Sequence, residues 1–268
     1  METPCYDTVI LSDLHLGSDL SRAKDAVKML KATPFQRLIL LGDIFCDLNF
    51  RRLTKEHWQF LSYIRKLSNP KRKVEVVWVE GNHDHGLSDV MSHLVGVEVY
   101  QEYAWESGGR RYLAVHGHQF DRFLVKNFVF SRLMTFLHLQ LQKIDFTQKR
   151  FSRLLDRVNT AWLRLSPKVA SGALTYARLK RADVVFCGHT HEALNAERDG
   201  IRYYNSGCWT TPRATYITVD EQEVQIHEYQ RTDDSDTGEE RSGADSALVE
   251  FPGESGLPAD AEYESVCG

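Results

Sequence analysis

Apolar, β-branched runs alternate with amphipathic stretches through the first hundred residues. Strand-like runs lie near 7–12, 37–42 and 74–80, and helical periodicity lies near 20–32, 54–67 and 87–95. This rhythm predicts a largely parallel sheet with helices outside it. Glu98–Trp105, the turn Ser107-Gly108-Gly109 and Arg110–Val115 read as a hairpin. The last third is strand-rich, with runs at 183–187, 201–205, 214–219 and 223–229. The sum is an α/β fold of two mixed sheets packed face to face.

Two segments break the pattern. Between His118 and Asp183, helical spacing takes over near 121–143, 147–165 and 168–180, with Pro167 close to a helix start. Residues 119–181 therefore read as a helical cap inserted in a domain spanning 1–231. From Thr232 to Gly268, Ser, Asp, Glu, Gly, Ala and Pro dominate without periodicity, which predicts a disordered acidic tail.

Charge sharpens this division. The formal net charge of −4 conceals a tail at −10 and an insert, Gln119–Arg181, at +10. The insert interleaves its Lys and Arg with Leu124, Phe128, Leu133, Phe136, Leu137 and Leu141, so it has both a basic and an apolar character. No run of about 18 uncharged apolar residues exists, and Met1–Cys5 leads into the first strand without a basic leader. The expectation is a chain without a spanning helix or cleaved signal. Five cysteines, odd in number and without CxxC spacing, argue against a disulfide framework or a zinc knot and for free thiols.

The chemistry sits where the apolar runs stop. TVIL, RLILL, VEVVWV, RYLAV and DVVFC are followed in turn by Ser12-Asp13-Leu14-His15, Gly42-Asp43, Gly81-Asn82-His83-Asp84, His116-Gly117-His118 and Gly188-His189-Thr190-His191. Strands that end in Asp, His and Asn bring hard and borderline donors to one rim of a sheet, a set suited to Mn, Fe or Zn.

In order and residue type these five motifs resemble the calcineurin-like metallophosphoesterases. The resemblance implies a four-layer sandwich of two mixed sheets flanked by helices, with two divalent metal ions at the strand ends, Mn first and Fe or Zn as alternatives. It implies that Asp13, His15 and His191 hold one ion, that Asn82, His116 and His189 hold the other, and that Asp43 bridges them. Two ions about 3.5–4 Å apart bind phosphate oxygens and activate water for in-line attack. His83 would then serve the leaving group as a proton or hydrogen-bond donor, oriented by Asp84. Asn205-Ser206-Gly207 follows a strand near the site and reads equally as a turn or a substrate contact.

SDLHLG, LGDIF, the stretch from His116 to Asp121, the helical insert and YNSGCW from Tyr204 are similar to the UDP-2,3-diacylglucosamine hydrolases and their uncharacterised relatives. That similarity implies cleavage of a UDP-lipid pyrophosphate in lipid A biosynthesis. It implies a cytoplasmic protein, peripheral on the inner face of the membrane, with the basic insert meeting anionic lipid. A phosphodiesterase or nuclease acting on nucleotides or nucleic acid is the alternative, although the insert's Phe and Leu suit packing or lipid better than base stacking. A non-catalytic scaffold of the same fold is the third reading.

Overall fold

Alternation of side chains along the strands builds this molecule in layers. The computed structural model describes residues 5–86, 88–121, 166–220, 223–230 and 249–250. One six-stranded sheet contains β1 (Tyr6–Leu11), β2 (Phe35–Leu41), β3 (Glu75–Val79), β4 (Val99–Tyr100), β10 (Thr215–Val219) and β11 (Val224–Glu228), in the order β11-β10-β1-β2-β3-β4. The other contains β5 (Glu102–Ser107), β6 (Arg110–Val115), β7 (Val184–Cys187), β8 (Ala193–Arg198), β9 (Ile201–Ser206) and β12 (Val249–Glu250), in the order β12-β8-β9-β7-β6-β5. Strands β1 to β4 run parallel, as do β6, β7 and β9.

Successive residues of each central strand serve different layers. Ile10, Ile39 and Leu41 face the second sheet and meet Tyr112, Ala114, Val184 and Phe186 there. Val9, Leu11, Leu38 and Leu40 face outward under α1 (Ala23–Ala32), α2 (Lys55–Leu67) and α3 (Ser88–Val95). Leu113, Val115, Val185 and Cys187 face outward under α4 (Ser166–Lys180). Each large aliphatic side chain buried in this way contributes about 1.5–3 kcal/mol. The result is the helix–sheet–sheet–helix sandwich expected of the α/β class.

The helices present the faces their layer requires. Phe60, Leu61, Ile64 and Leu67 form the buried stripe of α2, at helical spacing. Val169, Ala170, Ala173, Leu174 and Ala177 form that of α4, where the small alanines let the helix lie close on the sheet. This last helix was placed by its sequence within the cap. It packs on β7 and β9 as the fourth layer.

Several boundaries differ from expectation. Glu98–Trp105 is not one strand: Val99–Tyr100 pairs with β3 in the first sheet, whereas Glu102–Ser107 pairs with β6 in the second. The helix expected from residue 20 begins at Ala23, after a loop that turns at Ser18 and Ser21. Two residues of the expected tail, Val249–Glu250, pair in parallel with Ala196 and Glu197 on β8. The helices expected near 121–143 and 147–165, and the rest of the tail, lie outside the described residues. No helix among the described residues is long and apolar enough to cross a membrane.

Candidate metal centre

Each motif lies just beyond the carboxyl end of a strand: Asp13 and His15 after β1, Asp43 after β2, Gly81–Asp84 after β3, His116 after β6, and His189 and His191 after β7. Hydrogen bonds lace the first two loops together beyond the sheet. Asp13 N–H donates to Gly42 O at 3.1 Å, His15 N–H to Asp43 O at 3.0 Å, and Leu16 N–H to Ile44 O at 2.7 Å. The Asp13 carboxylate reaches across to the second sheet, where Oδ2 accepts the His189 N–H at 3.0 Å. Asp43 Oδ1 accepts the His83 N–H at 2.9 Å.

Backbone strain is concentrated here. Of eight non-glycine residues with positive φ among the described residues, five are candidate ligands: Asp13 (53°), His15 (48°), Asp43 (50°), His189 (68°) and His191 (58°). Each pays roughly 1–2 kcal/mol for the left-handed region. Strain of this kind persists where the surroundings over-determine a side-chain direction. Gly42, at φ 78°, passes so near His116 that a Cβ would collide with the imidazole.

The side chains converge in overlapping groups: Asp13, His15 and His191; Asp43, His116 and His189; and His15, Asp43 and His83. His15 Nε2 stands 3.1 Å from His191 Nε2, which stands 3.2 Å from Asp13 Oδ1. His116 Nε2 lies 3.3 Å from Asp43 Oδ2. Donors bound at about 2.0–2.2 Å around one ion sit roughly 3.0–3.6 Å apart, so these separations fit ligands facing a common cation. Asp43 belongs to two of the groups, placing its carboxylate between the other side chains.

Unsatisfied atoms support the same fit. Asp13 Oδ1 and His116 Nε2 are buried without a hydrogen-bond partner, where buried polar groups ordinarily have one. His116 Nδ1 donates to Leu41 O at 2.9 Å, which turns Nε2 toward Asp43. Burial opposes charge on His116, but the Asp43 carboxylate prevails and raises it to about 10. Burial, reinforced by His191, pushes His15 down to about 3. Burial alone would raise both carboxyls; His191 beside Asp13 and His116 beside Asp43 outweigh it and hold both below the usual carboxylate range. Ionised carboxylates beside imidazoles are the donor set that Mn, Fe or Zn takes.

The β3 loop divides its duties. Asn82 is exposed. His83 is partly buried, with Nδ1 donating to Cys46 O at 2.8 Å and Nε2 3.9 Å from Asp43 Oδ2. Asp84 does not orient His83. Its buried carboxylate accepts the Gly81 N–H at 2.6 Å and the Ile44 N–H at 3.0 Å, so it ties the β3 loop to the β2 loop. Burial, followed by the charge of Asp43, raises Asp84 to about 6.

Other motif residues also resolve. His118 turns toward the cluster, its ring 5.6 Å from that of His116. Asn205 is fully buried and structural: Nδ2 lies 2.6 Å from Gly188 O and 3.1 Å from Thr190 Oγ1, and Oδ1 accepts the Gly207 N–H at 3.0 Å. One further carboxylate beside the cluster was not among the candidate residues read from the sequence. Asp121 is buried, with Oδ2 3.6 Å from His189 Nε2. It closes the His116–Asp121 stretch that carries part of the resemblance, but a lone acid there reads as a surface charge.

Residues 7–224 match the Calcineurin-like phosphoesterase superfamily domain. No curated protein matches the chain. Among solved structures, a zinc-complexed Vps29 from Entamoeba histolytica is 16% identical, with 85% of this chain and 94% of that one covered at a TM-score of 0.46. An archaeal phosphodiesterase is 15% identical, covering 82% and 98% at 0.44. A conserved uncharacterised protein from Streptococcus pneumoniae, a predicted phosphoesterase, is 14% identical, covering 83% and 88% at 0.40. With more than half its length inside the matched domain, the chain belongs to the calcineurin-like phosphoesterase superfamily.

Proposed function

We propose that this protein is a two-metal phosphoesterase that hydrolyses a phosphodiester or pyrophosphate bond. The observation that carries the reading is the convergence of Asp13, His15, Asp43, His116, His189 and His191 at ligand-to-ligand distances, with buried donor atoms left unsatisfied. In this reading Asp13, His15 and His191 hold one ion, Asn82, His116 and His189 hold the other, and Asp43 serves both. Two bound divalent ions supply Lewis acidity toward phosphate oxygens and a nucleophile derived from water at neutral pH.

The remaining work falls to the chain's own groups. His83 keeps its Nδ1 proton on the Cys46 carbonyl. Nε2 is then the nitrogen that delivers a proton to the departing oxygen, a contribution of about 10²–10⁴-fold. Asp84 holds the two loops that carry His83 and Asp43 in register. Asn205 does the same for the loop between His189 and His191.

For the substrate we propose UDP-2,3-diacylglucosamine or a related lipid-linked pyrophosphate, cleaved to UMP and a lipid monophosphate on the way to lipid A. The motif resemblance and the basic, apolar insert support this choice. The acyl chains and anionic head groups of such a substrate match that mixed character, and anionic lipid at the inner membrane face attracts Lys and Arg at about 1 kcal/mol each. The Mn-loaded protein should cleave an acylated UDP-sugar ahead of its deacylated counterpart, and Asp43→Ala should abolish both reactions. Equal rates on the two substrates would remove the lipid assignment and leave a general phosphodiesterase. Full activity in Asp43→Ala would remove the metal centre.

A further inference from the structure

The chain segment after His116 is placed with more care than a loop requires. Gly117–Asp121 forms a tight 3-10 turn, in which the Phe120 N–H donates to Gly117 O and the Asp121 N–H to His118 O, both at 3.1 Å. Phe120 is the wedge that fixes it. Its Cβ approaches α4 at Gly172 so closely that a Cβ there would lie 2.7 Å away. Its ring also meets Tyr176 at 5.7 Å. With Phe120 seated outward on the helix, the next residue, Asp121, turns inward and is 3% exposed. A buried carboxylate is costly unless a partner offsets it. Among the described residues, His189 Nε2 faces Asp121 Oδ2 at 3.6 Å.

On the two-metal reading above, we infer that Asp121 is a positioning residue for the second ion. Its carboxylate stands on the Nε2 side of the His189 ring, poised to accept the Nε2–H once the ion draws the ring into place, which leaves Nδ1 as the nitrogen available to a cation. His189 needs such a guide because its backbone is already committed, with φ at 68° and its N–H on Asp13 Oδ2. The ring orientation is what remains to be set, and His116 and Asp43 complete that group. The device runs from sequence to site in one line: Gly172 admits Phe120, Phe120 turns Asp121, and Asp121 aims His189.

Zinc titrations of metal-free protein, followed by calorimetry, test this. Wild type should bind two ions per chain. Asp121→Ala should weaken one of them by about 10–100-fold, the usual effect of removing a carboxylate behind a ligating histidine. The other ion should be untouched. Asp121→Asn, which keeps an acceptor oxygen, should recover part of the loss. Gly172→Ala should reproduce it with Asp121 intact. The metal-free melting temperature of both Asp121 variants should match or exceed that of wild type, which a merely structural carboxylate would not allow. Nitrogen shifts of the His189 ring in zinc-loaded protein should show Nε2 protonated and Nδ1 bound. Two ions held at wild-type affinity in Asp121→Ala, or coordination of His189 through Nε2, would overturn the inference. Wild type binding fewer than two ions would instead remove the two-metal reading on which it rests.

Discussion

His83 is the residue whose role geometry separates most finely. It is close enough to His15 and Asp43 to form a ligand group with them. Yet Nδ1 is committed to Cys46 O, and Nε2 remains 3.9 Å from Asp43 Oδ2, farther than His116 Nε2 at 3.3 Å. On this account His83 moves protons and does not hold metal. His83→Ala should retain two ions per chain while turnover falls by about 10²–10⁴-fold. The fall should be smallest for a nitrophenyl leaving group, which departs without a proton. Metal analysis that finds one ion missing from His83→Ala would make it a ligand. The neighbouring Asp84 carries a different lesson. The family resemblance implied that it orients His83, but its carboxylate accepts two backbone amides instead.

The loops that bear the candidate ligands depend on the elements behind them. Asn205, at the end of β9, is buried and binds the Gly188-His189-Thr190 turn through Nδ2 and the Gly207 N–H through Oδ1. Asn205→Ala would strand buried polar groups on both sides, at about 1–3 kcal/mol. Urea unfolding of the metal-free variant should show that loss, and zinc affinity should fall with it. Unchanged stability would mean that the turn holds itself. Strands such as β1, β2 and β7 were legible because both faces are buried and each reads as an unbroken apolar run: Ile10 and Ile39 face one layer, while Val9 and Leu38 face the other. Strand β8, Ala193–Arg198, was not, because its mixture of Ala, Asn, Glu and Arg carries little apolar alternation on a half-exposed ribbon. The helix Ser166–Lys180 was legible as a helix, but its alanine face did not reveal that it belongs to the sandwich. The candidate ligand types and their places after strands could be read directly. Asp121 could not, because its burial depends on how Phe120 seats against Gly172, a contact between positions 52 residues apart.

At the scale of the molecule, the two sheets each supply part of one centre. The first sheet delivers Asp13, His15, Asp43 and the β3 loop; the second delivers His116, His189 and His191. The shared core of Ile10, Ile39, Leu41, Tyr112, Val184 and Phe186 holds those two rims together. The strained backbone at five candidate ligands is sustained by that packing. Such an assembly should work as a unit, with catalysis requiring both ions. The most direct measurement is the rate of hydrolysis of bis(p-nitrophenyl) phosphate as metal-free protein is titrated with Mn²⁺. The rate should stay low through the first equivalent and rise as the second binds. A protein that stays inactive with both equivalents bound, or one that is fully active at the first, would contradict a two-metal phosphoesterase.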